Sequence, residues 1–174
     1  MGAVPAGYFV VNDARRPIDA EMLDLALDAF RQATARVSAA PAAVARTMYA
    51  PLTESAWWAI CIDEEFEFAA GYKSARNRDG QGQVVLGLRY ARSALGHHRF
   101  FAATMVGGLS IPFTVPFKIE TFAAWLSVDE LPASTKQQTL RPIYRDHVEG
   151  RGVLETLADA DAWFQRARAS FVMD

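Results

Sequence analysis

Apolar residues recur at intervals of three and four through most of this chain, the period a helix with one buried face requires. Leu23, Ala26, Phe30, Ala33 and Val37 predict a helix that starts at the Pro17/Asp19 signal and ends near Ala40 and Pro41. Thr53 to Ala75 reads as one long helix, because the apolar run crosses Ile62, Phe66, Phe68 and Ala70 without Gly or Pro, and Trp57, Cys61, Glu64, Phe68 and Tyr72 recur largely at i+4. Asn77 to Gly82 collects turn-forming residues. A third helix is expected from Gln83 to Val106, with a stripe of Val84, Leu88, Ala91, Leu95, Ala102 and Met105, stopped by Gly107 and Gly108. Gly87 and Gly96 inside it suggest close approach of another backbone.

The period then changes. From Ile111 to Ile119 apolar and polar residues alternate, as in a half-buried strand, and Pro112 and Pro116 make it an edge strand or an irregular one. Phe122 to Val128 is the expected partner in a hairpin. Two helices close the chain. The first starts at Ser134 with Gln137 completing a capping box and is interrupted by Pro142; the second carries Val153, Leu157, Ala160, Phe164, Ala167 and Phe171. The expected fold class is mainly α (α+β), a single domain over 1–174: a helical core over 19–107, a β-hairpin over 109–128 and C-terminal helices over 134–172.

Composition narrows the function classes. With 174 residues, of which 51% are hydrophobic and 22% charged, the chain suits one domain with a true core rather than a disordered segment. No charge-free stretch reaches the ~20 apolar residues of a membrane span. No basic leader opens the chain, and Ala6 stands where a myristoylation motif beginning at Gly2 needs Ser or Thr, so a cytoplasmic address without membrane contact is expected. The single Cys61 excludes a disulfide scaffold and has no zinc-spaced partner; it reads as a small buried hydrophobe, and no metal or cofactor is expected. A pI near 5.9 excludes a protein that coats nucleic acid by bulk charge. Local charge is another matter. Glu54, Asp63, Glu64, Glu65 and Glu67 cluster before residue 68, whereas Lys73, Arg76, Arg78, Arg89, Arg92 and Arg99 face only Asp79, a +5 segment in a chain of net charge −2.

Three histidines are available for acid–base chemistry: His97, His98 and His147. His98 falls on the apolar stripe of its helix. Arg89, Ser93 and His97 follow one another at i+4 on a polar face opposite that stripe, flanked by Arg92 and Arg99. The run Arg92-Ser93-Ala94-Leu95-Gly96-His97, set within Leu88-Arg89-Tyr90-Ala91-Arg92-Ser93, resembles the signature of the HEPN superfamily, helical RNA-cleaving and nucleotide-binding domains of bacterial toxins and antiviral systems. That signature is an Arg followed after four to six residues by a His, commonly with Asn, Asp or another polar residue directly after the Arg. Arg141 and His147 repeat the spacing, but Pro142 follows that Arg directly.

The resemblance covers about residues 19 to 107 and implies an antiparallel helical bundle, a homodimer that brings two motifs to one cleft, and cleavage of RNA without a metal. An imidazole with an ordinary pKa of about 6.5 moves a proton at neutral pH, and a guanidinium holds phosphate oxygens as charge builds on them. Arg92 and His97 would then be catalytic, Arg89, Ser93 and Arg99 supporting, and Asp63 or Glu64 would orient His97 or Arg92. An antitoxin or regulatory protein is an implied partner. Two other readings stay open. Ser93, in place of Asn or Asp, suits a non-catalytic helical module that dimerises and binds a nucleotide or a protein, and the arginines then form a solvated face compensated by Asp63, Glu64 and Glu67. An edge strand at Ile111 to Ile119 would suit a structural or immunity protein that pairs with another chain.

Overall fold

The computed structural model describes residues 17–40, 45–98, 103–106, 122–131 and 135–172, with backbone alone at 45–46, 94, 96–98, 103–106 and 135–137. These residues are mainly helical. Helix α1 (Ala20–Ala39) is capped by Asp19, whose carboxylate accepts from the Met22 amide at 3.0 Å. It buries Leu23, Leu27, Phe30, Ala33 and Val37, the expected face with Leu27 in place of the half-buried Ala26.

The second helix departs from expectation at both ends. Helix α2 (Ala45–Phe66) starts well before Thr53 and carries Pro51 in its interior. Pro51 gives up an amide, at a cost of about 3 kcal/mol in a free helix. Burial of Met48 and Leu52 on either side of it and a hydrogen bond from the Tyr49 hydroxyl to the Leu95 carbonyl, 3.1 Å, hold this part of the helix in place. The helix ends at Phe66 rather than Ala75. The chain turns through 67–71, with Gly71 at φ 87°, and a five-residue helix α3 (Tyr72–Arg76) returns beside α2. The buried side of α2 is Leu52, Ser55, Ala56, Ala59, Ile60, Ile62, Asp63 and Phe66; of the expected i+4 stripe, Trp57 and Glu64 are exposed on the outer face and Cys61 is half-buried there, Phe68 is exposed in the turn beyond the helix, and Tyr72 is fully buried in α3.

Helix α4 (Gly80–His98) begins three residues earlier than expected and buries Val84, Leu88, Ala91 and Leu95 as its stripe predicts. Gly82 is required at its start, since a Cβ there would stand 2.4 Å from the Arg76 carbonyl oxygen. Its C-terminal end is corrected: Ala103–Val106 is strand β1, not helix. Ala102, Gly107 and Gly108 lie outside the described residues, as does the strand expected at Ile111 to Ile119. Strand β2 (Phe122–Trp125) pairs antiparallel with β1, in the register Ala103↔Trp125 to Val106↔Phe122. Its other edge is occupied too. Ala124 bridges Gly152, and the Trp125 amide and carbonyl bond to Arg151 and Gly150, each at 3.0 Å. Among the described residues β2 therefore pairs with β1 on one side and with 150–152 on the other.

A short 3-10 helix (Thr135–Leu140) leads into α5 (Arg141–His147), where Pro142 sits in the first turn, a position that needs no amide, instead of interrupting a helix. Ser134, the expected cap, lies outside the described residues. Helix α6 (Val153–Phe171) buries Val153, Leu157, Ala160, Phe164 and Ala167 as expected, together with Thr156 and Trp163. Phe164 meets Phe30 edge-on at 5.8 Å and stacks on Phe66 at 6.4 Å, which joins α1, α2 and α6 in one core. No described helix is long and apolar enough to cross a membrane.

Gly87 lets α5 approach α4, because a Cβ there would lie 2.4 Å from Cγ2 of the fully buried Val148. Gly87→Ala is expected to destabilise the protein: overpacking of about 1–3 kcal/mol outweighs a helix-propensity gain of at most about 1 kcal/mol. Gly80→Ala, with nothing within 4 Å, is expected to cost no stability. Urea unfolding of the two variants checks the pair, and equal midpoints would contradict the close approach.

Candidate functional site

Helices α2 and α4 run antiparallel, as contacts at successive levels require: Tyr49 with Leu95, Trp57 with Arg92, Asp63 with Arg89. The pair is locked at its lower end by a carboxylate with no solvent exposure. Asp63 accepts from the Tyr72 hydroxyl at 2.7 Å, from Arg76 Nη1 at 2.6 Å and from Arg89 Nη2 at 2.7 Å. Tyr72 accepts in turn from the Trp163 indole at 2.9 Å. Glu67 takes the remaining donors, Arg76 at 2.8 Å, Arg89 at 3.3 Å and Lys73 at 2.9 Å. A buried charge is tolerated only when paired and hydrogen-bonded in this way.

The network sets its own titration. Burial, then the Asp63 charge, pushes the Tyr72 phenol well above its ordinary range, so it stays a donor to Asp63. Burial also pushes the Glu67 carboxyl upward, but hydrogen bonds from Lys73 and Arg76 and the charge of Arg89 bring it below its ordinary value. Arg76, with its side chain 6% exposed, is held charged by Asp63 and Glu67 against the effect of burial.

The expected site residues fall into three environments. Arg89 belongs to the network: its guanidinium is neutralised by Asp63 and Glu67, Glu64 lies 4.0 Å away, and its Nε is buried with no acceptor among the described residues. Ser93 is buried at 5% exposure rather than standing on an open polar face. Arg92 lies elsewhere, with its guanidinium carbon 4.3 Å from the centre of the Trp57 indole. The acid expected to orient Arg92 is not Asp63 or Glu64: among the described residues no carboxylate comes within ion-pair distance of it, and an aromatic ring takes that place. His97 is described by its backbone, in the last turn of α4, about 7.5 Å along the helix axis from Arg92 and roughly 140° around it. Arg99 lies outside the described residues.

Beside the network a cleft of ≈ 600 Å³ is lined by Cys61, Glu64, Glu65, Glu67, Phe68, Lys73 and Arg89. Burial and the Glu64 charge raise the Cys61 thiol above its ordinary range, partly opposed by Arg92, so at neutral pH it is a thiol and not a nucleophilic thiolate. Among the described residues no three His, Cys, Asp or Glu side chains come together as metal ligands would.

Sequence reasoning placed Glu67 opposite the arginines and Arg76 in the basic segment, but missed Trp57 as the neighbour of Arg92 and Tyr72 as a buried donor to Asp63. Tyr72 and Arg76 reach Asp63 only because the chain turns at Gly71. Trp57 carried no usable signal: with Asp63 matched to Arg89 an antiparallel register places residue 57 nearer the level of 95, and the Arg92 side chain reaches back to its ring. No family model, curated protein or solved structure matches the chain.

The depressed Glu67 carboxyl predicts an acid dependence. Its folded value lies below the ordinary value of 4.5, so its stabilising contribution is complete above that pH and is lost as pH falls through the folded value. Glu67→Gln is expected to lower stability at pH 7 by more than it does at pH 3, in urea unfolding at both values. An equal deficit at both would contradict the assignment.

Proposed function

We propose that the chain is a metal-independent endoribonuclease of HEPN type, of the kind that serves as a bacterial toxin or defence component, with Arg92 and His97 as its reactive pair. One observation carries the reading. Of the arginines beside α2, Arg76 of α3 and Arg89 of α4 are bound by the buried Asp63 and by Glu67, while Arg92 has no carboxylate within ion-pair distance among the described residues, lies on an indole and stands about 1.4 helical turns from His97. A guanidinium in that state is available to a phosphate.

The chemistry needs little else. The RNA 2′-hydroxyl is the nucleophile: His97 takes its proton, the oxygen attacks the adjacent phosphorus, and the bond to the 5′ oxygen breaks. A 2′,3′-cyclic phosphate and a 5′-hydroxyl result, the leaving oxygen receiving a proton from an imidazolium. Arg92 stabilises the charge that builds on the non-bridging oxygens. In the homodimer implied by the resemblance, a second copy of the pair shares the cleft.

A second reading is favoured by Ser93. Its burial turns the residue after the motif Arg toward helix packing and away from a surface ligand, which suits a non-catalytic module for dimerisation and nucleotide or protein binding. Cleavage of single-stranded RNA in excess EDTA separates the two. Under the nuclease reading, Arg92→Ala and His97→Ala each lower the rate by roughly 100-fold or more, while His147→Ala, in the helix that repeats the spacing, retains it. Undiminished cleavage by His97→Ala would overturn the proposal, and nucleotide binding without cleavage would support the second reading.

A further inference from the structure

Trp57 is one of six exposed large apolar side chains among the described residues, and what distinguishes it is its neighbour. It sits on the outer face of α2 with 48% of its surface exposed, on the side of the partly exposed Cys61. The Arg92 guanidinium lies over its ring. Among the described residues two other arginines lie over aromatic rings, and both answer to carboxylates: Arg76 over Tyr72, 5.6 Å from the ring centre, is bound by Asp63 and Glu67, and Arg166 over Trp163, at 5.5 Å, is bound by Asp79. Arg92 is closer to its ring than either and has no such anion among the described residues.

A guanidinium held over an aromatic face keeps its N–H donors along its edge, where they can take two phosphate oxygens. The exposed part of an indole beside such a cation accepts the face of a nucleobase. We propose that Trp57 is a base-stacking platform for single-stranded RNA, with Arg92 on its ring holding the adjoining phosphate; the inference rests on the ribonuclease reading and names how that site receives its substrate. Charge gives the strand a direction. Along α2 from Trp57 toward Phe68 the surface carries Glu64 and Glu65, which repel a phosphate chain. In the antiparallel pair the opposite direction follows α4 from Arg92 to His97, so the strand runs from the Trp57 platform toward the motif histidine.

The test is equilibrium binding of a fluorescein-labelled, fully 2′-O-methylated single-stranded oligoribonucleotide, which cannot be cleaved, read by anisotropy. Trp57→Ala is expected to weaken binding roughly 5- to 150-fold, and Trp57→Phe to restore most of it. An abasic version of the same oligonucleotide is expected to bind the parent and Trp57→Ala alike. Parental affinity in Trp57→Ala would overturn the inference. So would a loss of affinity that light scattering traces to dissociation of a dimer, since Trp57 would then belong to a protein interface. The two readings fail separately: Trp57-dependent binding of an RNA that is never cleaved sinks the nuclease alone. Cleavage that needs Arg92 and His97 but shows no Trp57 dependence in binding sinks the platform alone.

Discussion

A carboxylate buried without solvent contact constrains everything packed around it, because each of its oxygens must find a donor. Asp63 finds three, one each from Tyr72, Arg76 and Arg89. Tyr72 and Arg76 can serve only if α2 stops at Phe66 and the chain doubles back through Gly71, and Arg89 only if α4 lies antiparallel to α2 at this level. Glu67 answers the remaining cationic donors and joins Lys73 to the group. Replacing one partner would leave the others charged in a poorly hydrated place, so the network fixes register more than it adds net stability.

That register decides which cation remains. The basic segment after residue 72 reads from sequence as a single +5 patch, but its members differ in availability. Arg76 and Arg89 are bound by the acids of α2, Lys73 pairs with Glu67, and Arg78 bonds to the Ser74 carbonyl and hydroxyl. Arg92 lies on Trp57 instead. Compensation of an Arg-rich by an acid-rich helix and an arginine left outside the ion pairs are thus not alternatives: among the described residues of this segment the same network provides the first and leaves Arg92 on an indole.

Much of the helical content was legible, because α1 and α6 each bury one face against a common core, α4 is buried on more than one side, and the apolar stripes of all three repeat through their helices. The limits of α2 were not. Its i+4 pattern holds only from Trp57 to Glu64, on the outer side, before the helix ends and Tyr72 turns inward, and the buried face includes the polar Ser55 and Asp63, which no hydrophobic period would place inside. Ala103–Val106 continued a helical stripe in sequence, yet β2 supplies it a ladder that periodicity cannot foresee. Within the site, Arg92 stood out by its spacing to His97. Its partner Trp57 is thirty-five positions away in the chain and visible only through the pairing of two helices.

The Asp63–Arg89 contact couples α2 to α4. A double-mutant cycle of Asp63→Asn and Arg89→Gln, followed by urea unfolding, tests this coupling directly. Strongly non-additive losses are expected, with a coupling of about 1.5 kcal/mol or more for a buried charge-assisted bond. Losses that add to within about 0.5 kcal/mol would contradict it.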